Sequence, residues 1–95
     1  MKQTKEQRAE QIQESIRRVL LHDWDPIGIR DVPEAQDEYD SYVGGVYRLL
    51  ASGASEQQIA EHLWRIEADA MGLSALDQAK LAPVARKLCA LDVKL

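Results

Sequence analysis

The stretch YDSYVGGVYRLL, residues 39–50, decides the fold class of this chain. At ~100° per residue, its large apolar side chains fall on one helical arc that no polar residue interrupts. We therefore predict a helix that begins between residues 33 and 36, ends at Ser52 before a stop at Gly53, and lies at the centre of the fold. The arc consists of Tyr39, Tyr42, Val43, Val46, Tyr47, Leu49 and Leu50.

Gly44 and Gly45 lie in this helix but outside its apolar arc. Each costs a helix ~1 kcal/mol relative to alanine. Two interpretations stay open: surface glycines that the helix tolerates with at most a slight bend, or a close approach of another backbone, from this chain or from a partner.

A helix is predicted before this central segment. Thr4 followed by Gln7 three residues later has the spacing of a capping box, and the helix should end near His22. Its apolar stripe consists of Ala9, Ile12, Ile16, Val19 and Leu20.

Two more helical segments follow. Ser55 and Gln58 form a second capping-box pattern, and Gly72 supplies a left-handed stop. Ser74 starts the last segment, in which Pro83 should kink the helix or split off a short turn over residues 75–80. The stripe of this last segment is Leu81, Val84, Leu88, Leu91 and Leu95.

The whole chain therefore reads as an all-α protein. Its 95 residues fit one helical domain over residues 1–95, and 45% hydrophobic with 29% charged residues argues against intrinsic disorder. No strand signal is longer than four residues. We predict a compact four- to five-helix bundle with a longer loop, residues 23–33, between the first two helices.

Composition bears on partners and location as well. A net charge of −4 weighs against nucleic-acid binding, which normally needs a basic face. No stretch approaches the ~20 apolar residues of a membrane span, and residues 1–10 lack the apolar region of a signal peptide. We expect a cytoplasmic protein with no membrane contact.

Negative charge is concentrated in one segment. Residues 23–40 carry seven acids and one base, a balance of −6, whereas residues 1–22 balance to +2 and residues 41–95 to zero. Acids near a helix N-terminus are favoured by the helix dipole, and Asp in a Pro/Gly loop can bond backbone N–H groups. The other interpretation is a surface for a basic partner, which would relieve the mutual repulsion.

Trp24 and Ile27 lie inside this acidic segment. They either fold back over the core as a lid or leave Trp24 exposed as an interface anchor. The candidate partner-binding residues are Trp24, Asp25, Asp37, Glu38 and Asp40.

Few residues suggest chemistry. Glu67 falls within the apolar arc of the third helix, so it must reach the edge of the bundle or pair with Arg17, Arg48 or a tyrosine hydroxyl. Neither histidine has a second His or Cys at metal-ligand spacing, and Cys89 is the one cysteine. We therefore expect no enzyme, no metal and no cofactor.

Several runs together resemble the YugE-like proteins, small bacterial helical proteins described as a domain of unknown function. The runs are WDPIG at 24–28, DEYDSY at 37–42, LL at 49–50 and IAEHL at 59–63, and the likeness covers roughly residues 12–73. The resemblance implies a helical bundle of bacterial origin and carries over no activity, ligand or catalytic residue. The segment from Ser74 onward has no counterpart in it.

Two hypotheses for function follow. The first is a non-enzymatic protein-binding module, immunity- or antitoxin-like, whose acidic patch meets a basic partner. The alternative is a structural or self-associating accessory protein, a homodimer packed through the Leu81–Leu95 stripe and the glycine pair.

Overall fold

Four α-helices make up most of the described part of the chain. The computed structural model describes residues 4–25, 28–29, 31–35, 37–70, 72 and 78–94. These residues contain no strand, which confirms the all-α prediction. The helices are α1 (Lys5–Val19), α2 (Asp40–Ala51), α3 (Glu56–Arg65) and α4 (Ala82–Cys89).

Four short helical turns accompany these helices in the described residues: three adjoin a helix, and one lies between α1 and α2. A π-helical turn at Leu20–Trp24 continues α1, and a second at Ile66–Ala70 continues α3. A 3₁₀ turn at Pro33–Ala35 lies between α1 and α2, and another at Gln78–Leu81 leads into α4.

Both predicted capping boxes are confirmed. The Thr4 hydroxyl accepts from the Gln7 backbone N–H at 3.1 Å, and the Gln7 side chain accepts from the Thr4 N–H at 3.0 Å. Ser55 and Gln58 make the same reciprocal pair at 3.2 and 2.8 Å. Each box satisfies two backbone donors that a helix start otherwise leaves unpaired.

The start of α2 corrects the prediction. The helix begins at Asp40, not between residues 33 and 36, because a series of i→i+3 turns precedes it. Glu38 N–H donates to the Ala35 carbonyl at 3.1 Å and Asp40 N–H to the Asp37 carbonyl at 3.1 Å. The predicted end is correct: Ser52 is the C-cap, and Gly53 follows at φ +83°.

The core lies among the four helices, and α2 is not the central helix that the sequence predicts. Helix α1 packs against α2 and α4, and α3 packs against the same two. Within α2 only Val43 and Val46 are buried, so α2 forms one side of the bundle. The half-buried remainder of its arc is Tyr42, Tyr47, Leu49 and Leu50.

Pro83 does not kink α4, and a 3₁₀ turn at Gln78–Leu81 precedes the helix, close to the short turn predicted as the alternative. The residue lies in the first turn of the helix, where its missing N–H removes no helical bond. Val84 and Leu88 are buried as the stripe predicts, but the helix ends at Cys89 and Leu91 lies half-buried beyond it. The predicted start at Ser74, the turn residues 75–77 and Leu95 lie outside the described residues.

Candidate functional site

Asp23, Asp25 and Asp40 of the acidic segment connect elements of the fold to one another. Asp40, at the start of α2, binds Arg17 of α1 through two bonds, Nε–Oδ1 at 2.8 Å and Nη2–Oδ2 at 2.9 Å. Asp23 pairs with Lys87 of α4 at 3.1 Å. These carboxylates connect elements of this chain to one another, so their charges are already partly neutralised.

Asp25 is the third, and it organises the loop after the first π-helical turn. Its backbone is left-handed at φ +33°, a conformation that Asp and Asn adopt more readily than most residues. Its Oδ1 accepts from the Ile29 N–H at 2.7 Å and from the Tyr39 hydroxyl at 2.9 Å. Because Tyr39 is almost fully buried, this carboxylate joins the loop to the core. The structure therefore gives Asp25 and Asp40 structural bonds that partner binding would have to leave intact.

The other four acids form what we call the acidic loop surface: Asp31, Glu34, Asp37 and Glu38. All four side chains are exposed. They lie within eight consecutive positions, 31–38, which include the 3₁₀ turn at Pro33–Ala35. Arg30, the one base of the segment, lies outside the described residues. Val32, within the same stretch, is 41% exposed.

Trp24 does not belong to this surface, which corrects its assignment as an exposed anchor. The side chain is only 7% exposed and belongs to the core. Its ring packs against Tyr39, with centroids 5.3 Å apart, and meets Tyr42 edge-on at 6.0 Å. The lid interpretation fits this placement, and Ile27, predicted to share it, lies outside the described residues.

Glu67 is buried and paired, which is one of the two alternatives left open by the sequence, but its partner is none of those named. The side chain is 5% exposed, and its Oε1 accepts from the Trp24 indole N–H at 3.0 Å. Of the predicted partners, Arg17 binds Asp40 and Glu14 instead. A buried tryptophan N–H needs an acceptor, so Trp24 itself was a signal for this pairing that the sequence prediction did not use.

The structure gives a reason for one of the two adjacent glycines of α2, Gly45. A Cβ at this position would lie 3.3 Å from the His62 Nε2 of α3, whereas a Cβ on Gly44 would meet nothing within 4 Å. The close approach is thus made by a side chain of this chain, not by a backbone. Burial under this contact lowers the pKa of His62 below its usual 6.5.

Cys89 lies half-buried at the end of α4. Its Sγ is 3.9 Å from the Ala54 carbonyl oxygen. Burial, and then the nearby Glu56 carboxylate, raise the pKa of the thiol. A raised pKa keeps the thiol protonated and weakens its nucleophilicity.

Among the described residues, no group of three or more His, Cys, Asp or Glu side chains is placed to hold a metal ion. None of the described helices has the length and apolar character needed to cross a membrane.

Comparison with known proteins gives no relative. No family model matches the chain, and neither a curated protein nor a solved structure is significantly similar to it.

Proposed function

We propose that this chain is a non-enzymatic protein-binding module that binds a basic protein through the acidic loop surface. One observation carries the proposal: four carboxylates, all of them exposed, lie within the eight residues 31–38. The surface thus differs from the five predicted partner-binding residues, of which it keeps Asp37 and Glu38.

Helix capping accounts for only part of this charge. The dipole effect falls off within about one turn, so the late start of α2 at Asp40 leaves only Asp37 and Glu38 close to its N-terminus. Asp31 lies further back, and Glu34 lies inside the three-residue 3₁₀ turn at Pro33–Ala35, whose dipole is small. Their exposure therefore supports the partner interpretation.

The chemistry of the partner follows from the charge. Carboxylates in this density repel one another, and a surface rich in Lys and Arg would relieve that repulsion while steering association. Val32, exposed among the acids, adds one apolar contact. A small acidic protein of this kind fits the basic cleft of a nucleic-acid-directed toxin, so we propose an immunity- or antitoxin-like role.

The first test is affinity capture from a native bacterial lysate at low and moderate salt. The wild type is compared with a variant that carries Asp31→Asn, Glu34→Gln, Asp37→Asn and Glu38→Gln. We expect one basic protein to be retained by the wild type at low salt and lost by the variant.

A matched control removes four exposed acids elsewhere: Glu6→Gln, Glu10→Gln, Asp69→Asn and Asp92→Asn. The control has the same net charge as the test variant, so it should still retain the partner. Equal loss in both variants would show a nonspecific charge effect, and equal retention in all three proteins would reject the acidic loop surface as the interface.

Self-association is the second proposal. The structure weakens the two sequence features that suggested it, the Leu81–Leu95 stripe and the glycine pair. Leu81, Val84 and Leu88 of the proposed dimer stripe are buried within the fold, and Gly45 faces His62 of the same chain. Light scattering over a hundredfold concentration range tests it. A constant monomer mass of 10.7 kDa would reject the homodimer.

A further inference from the structure

Two helices of this fold, α1 and α3, end in the same unusual way. Each runs into a five-residue π-helical turn, Leu20–Trp24 after α1 and Ile66–Ala70 after α3. In the first turn, the Asp25 N–H donates to the Leu20 carbonyl five residues earlier at 2.9 Å. Such turns are rare in proteins and concentrate at functional segments.

The first turn has a clear effect on packing. In an α-helix each residue rotates by ~100°, which would place Trp24 beyond Leu20 and toward the edge of the stripe. The wider i→i+5 turn rotates less per residue and returns Trp24 toward the side of Ile16 and Leu20. The structure accordingly shows all three side chains buried.

A hydrogen bond joins the two turns. The Trp24 indole N–H, at the end of the first, donates to Glu67 Oε1 in the second at 3.0 Å, across 43 residues of sequence. The two side chains are 7% and 5% exposed. If this bond broke and no water entered, the indole N–H and the carboxyl oxygen would both be buried without a hydrogen-bond partner. Each unpaired group would cost folding free energy.

We propose that the two π-helical turns form one latch, closed by the Trp24–Glu67 bond, that opens as a cooperative unit while the rest of the bundle stays folded. When either turn opens, the Trp24–Glu67 bond breaks and the side chain in the other turn loses its partner. The other turn is therefore destabilised at the same time. Native proteins open in contiguous cooperative units, and a buried bond between two segments is the kind of link that joins them into one such unit. This inference does not depend on the acidic loop surface.

Hydrogen exchange of the full chain, followed by mass spectrometry, tests the latch. Trp24→Phe keeps an aromatic ring but removes the indole donor. We expect exchange over residues 20–25 and 66–70 to accelerate together, by about tenfold, with little change over Val43–Val46 of α2. Acceleration of the first turn alone, or of all segments equally, would overturn the proposal.

A substitution at the other end of the bond keeps the test decisive if Trp24→Phe unfolds the chain. Glu67→Gln preserves the side-chain size and weakens the acceptor, so exchange should rise in the distant turn at residues 20–25. Glu61→Gln is the matched control, because Glu61 lies in α3 near the second turn but forms an exposed ion pair with Arg65. It should leave exchange in both turns unchanged. If Glu67→Gln does not affect residues 20–25, the two turns are not coupled.

Discussion

At the scale of single residues, His62 links burial to pH. Its ring packs over Gly45, and burial lowers its pKa from the usual 6.5. The unfolded chain then binds more protons than the folded chain between the lowered pKa and ~6.5, so stability rises with pH across that window. The contribution is fully present above pH ~6.5 and is lost as pH falls.

We therefore expect His62→Gln to flatten the pH dependence of stability. The urea midpoint of the wild type should fall between pH 7 and pH 5, and the variant should lose part of that slope, because glutamine does not titrate. Gln57→Ala serves as the control, since Gln57 is exposed on the same helix and carries no titratable group, so its replacement should keep the wild-type slope. Equal slopes in all three proteins would show that the burial of His62 has no effect on stability.

Glu67 and Trp24 show how far a sequence can specify a buried contact. The helical period places Glu67 on the apolar side of α3, and burial then requires a partner. The period carries no information about which side chain arrives from 43 residues away. The π-helical turn that rotates Trp24 inward has no motif of its own, so the identity of the partner required the structure.

At the scale of elements, helix starts and stops were predictable where local bonds decide them. Both capping boxes depend on residues three positions apart, and the left-handed stop at Gly53 depends on backbone bonds that span at most five positions. The start of α2 was not predictable in this way. Successive i→i+3 turns and the Tyr39–Asp25 bond, made across 14 residues, hold the preceding segment out of the helix.

The glycine pair of α2 gives a prediction at this scale. Gly44→Ala should raise the free energy of unfolding by about 1 kcal/mol, because alanine is the better helix former and its Cβ would meet open space. Gly45→Ala should gain less than half of that, because its Cβ would lie 3.3 Å from His62 Nε2 and the ring would have to move.

Urea unfolding followed by circular dichroism at 222 nm measures both changes. Both substitutions replace glycine with alanine in the same helix. The difference between their changes in unfolding free energy therefore reports the contact with His62. The double variant Gly45→Ala with His62→Ala should recover the full gain relative to His62→Ala alone. Equal gains at positions 44 and 45 would show that the ring moves without cost.

At the scale of the whole molecule, shape and charge follow different rules. The protein measures 47 × 32 × 19 Å, and its shortest dimension is about two helix diameters of ~10 Å. Apolar periodicity was sufficient to predict the all-α class, because each stripe must face another. The charge balance located the acidic segment, but only the structure shows which of its acids connect distant elements, since ion pairs such as Arg17–Asp40 join residues far apart in sequence.

The two ends of the described chain are also joined. Arg8, in the second turn of α1, donates from Nε to the Lys94 carbonyl at 3.0 Å and from Nη2 to the Asp92 carbonyl at 2.9 Å. The same Nη2 lies 3.3 Å from the Asp92 carboxylate. The guanidinium fork thus holds the segment after α4 against the first helix, where Val93 packs on the core.

The backbone bonds, rather than the ion pair, should provide most of this stabilisation. The Asp92 side chain is 71% exposed and its charge is well screened, whereas the Arg8 side chain is 29% exposed. We expect Arg8→Ala to lower the free energy of unfolding by about 1 kcal/mol, as the loss of two hydrogen bonds from a charged donor at the surface implies. Asp92→Asn should lower it by less than about 0.5 kcal/mol, because both carbonyl acceptors remain.

Two further variants separate the geometry of Arg8 from its charge. Arg8→Lys keeps the charge but cannot reach both carbonyls with a rigid fork, so it should recover less than half of the loss. Arg18→Ala, whose ion pair with Glu14 is largely exposed, should change stability by less than about 0.5 kcal/mol. Urea unfolding at 25 °C compares all four. If Asp92→Asn costs as much as Arg8→Ala, the ion pair dominates and the fork account is wrong.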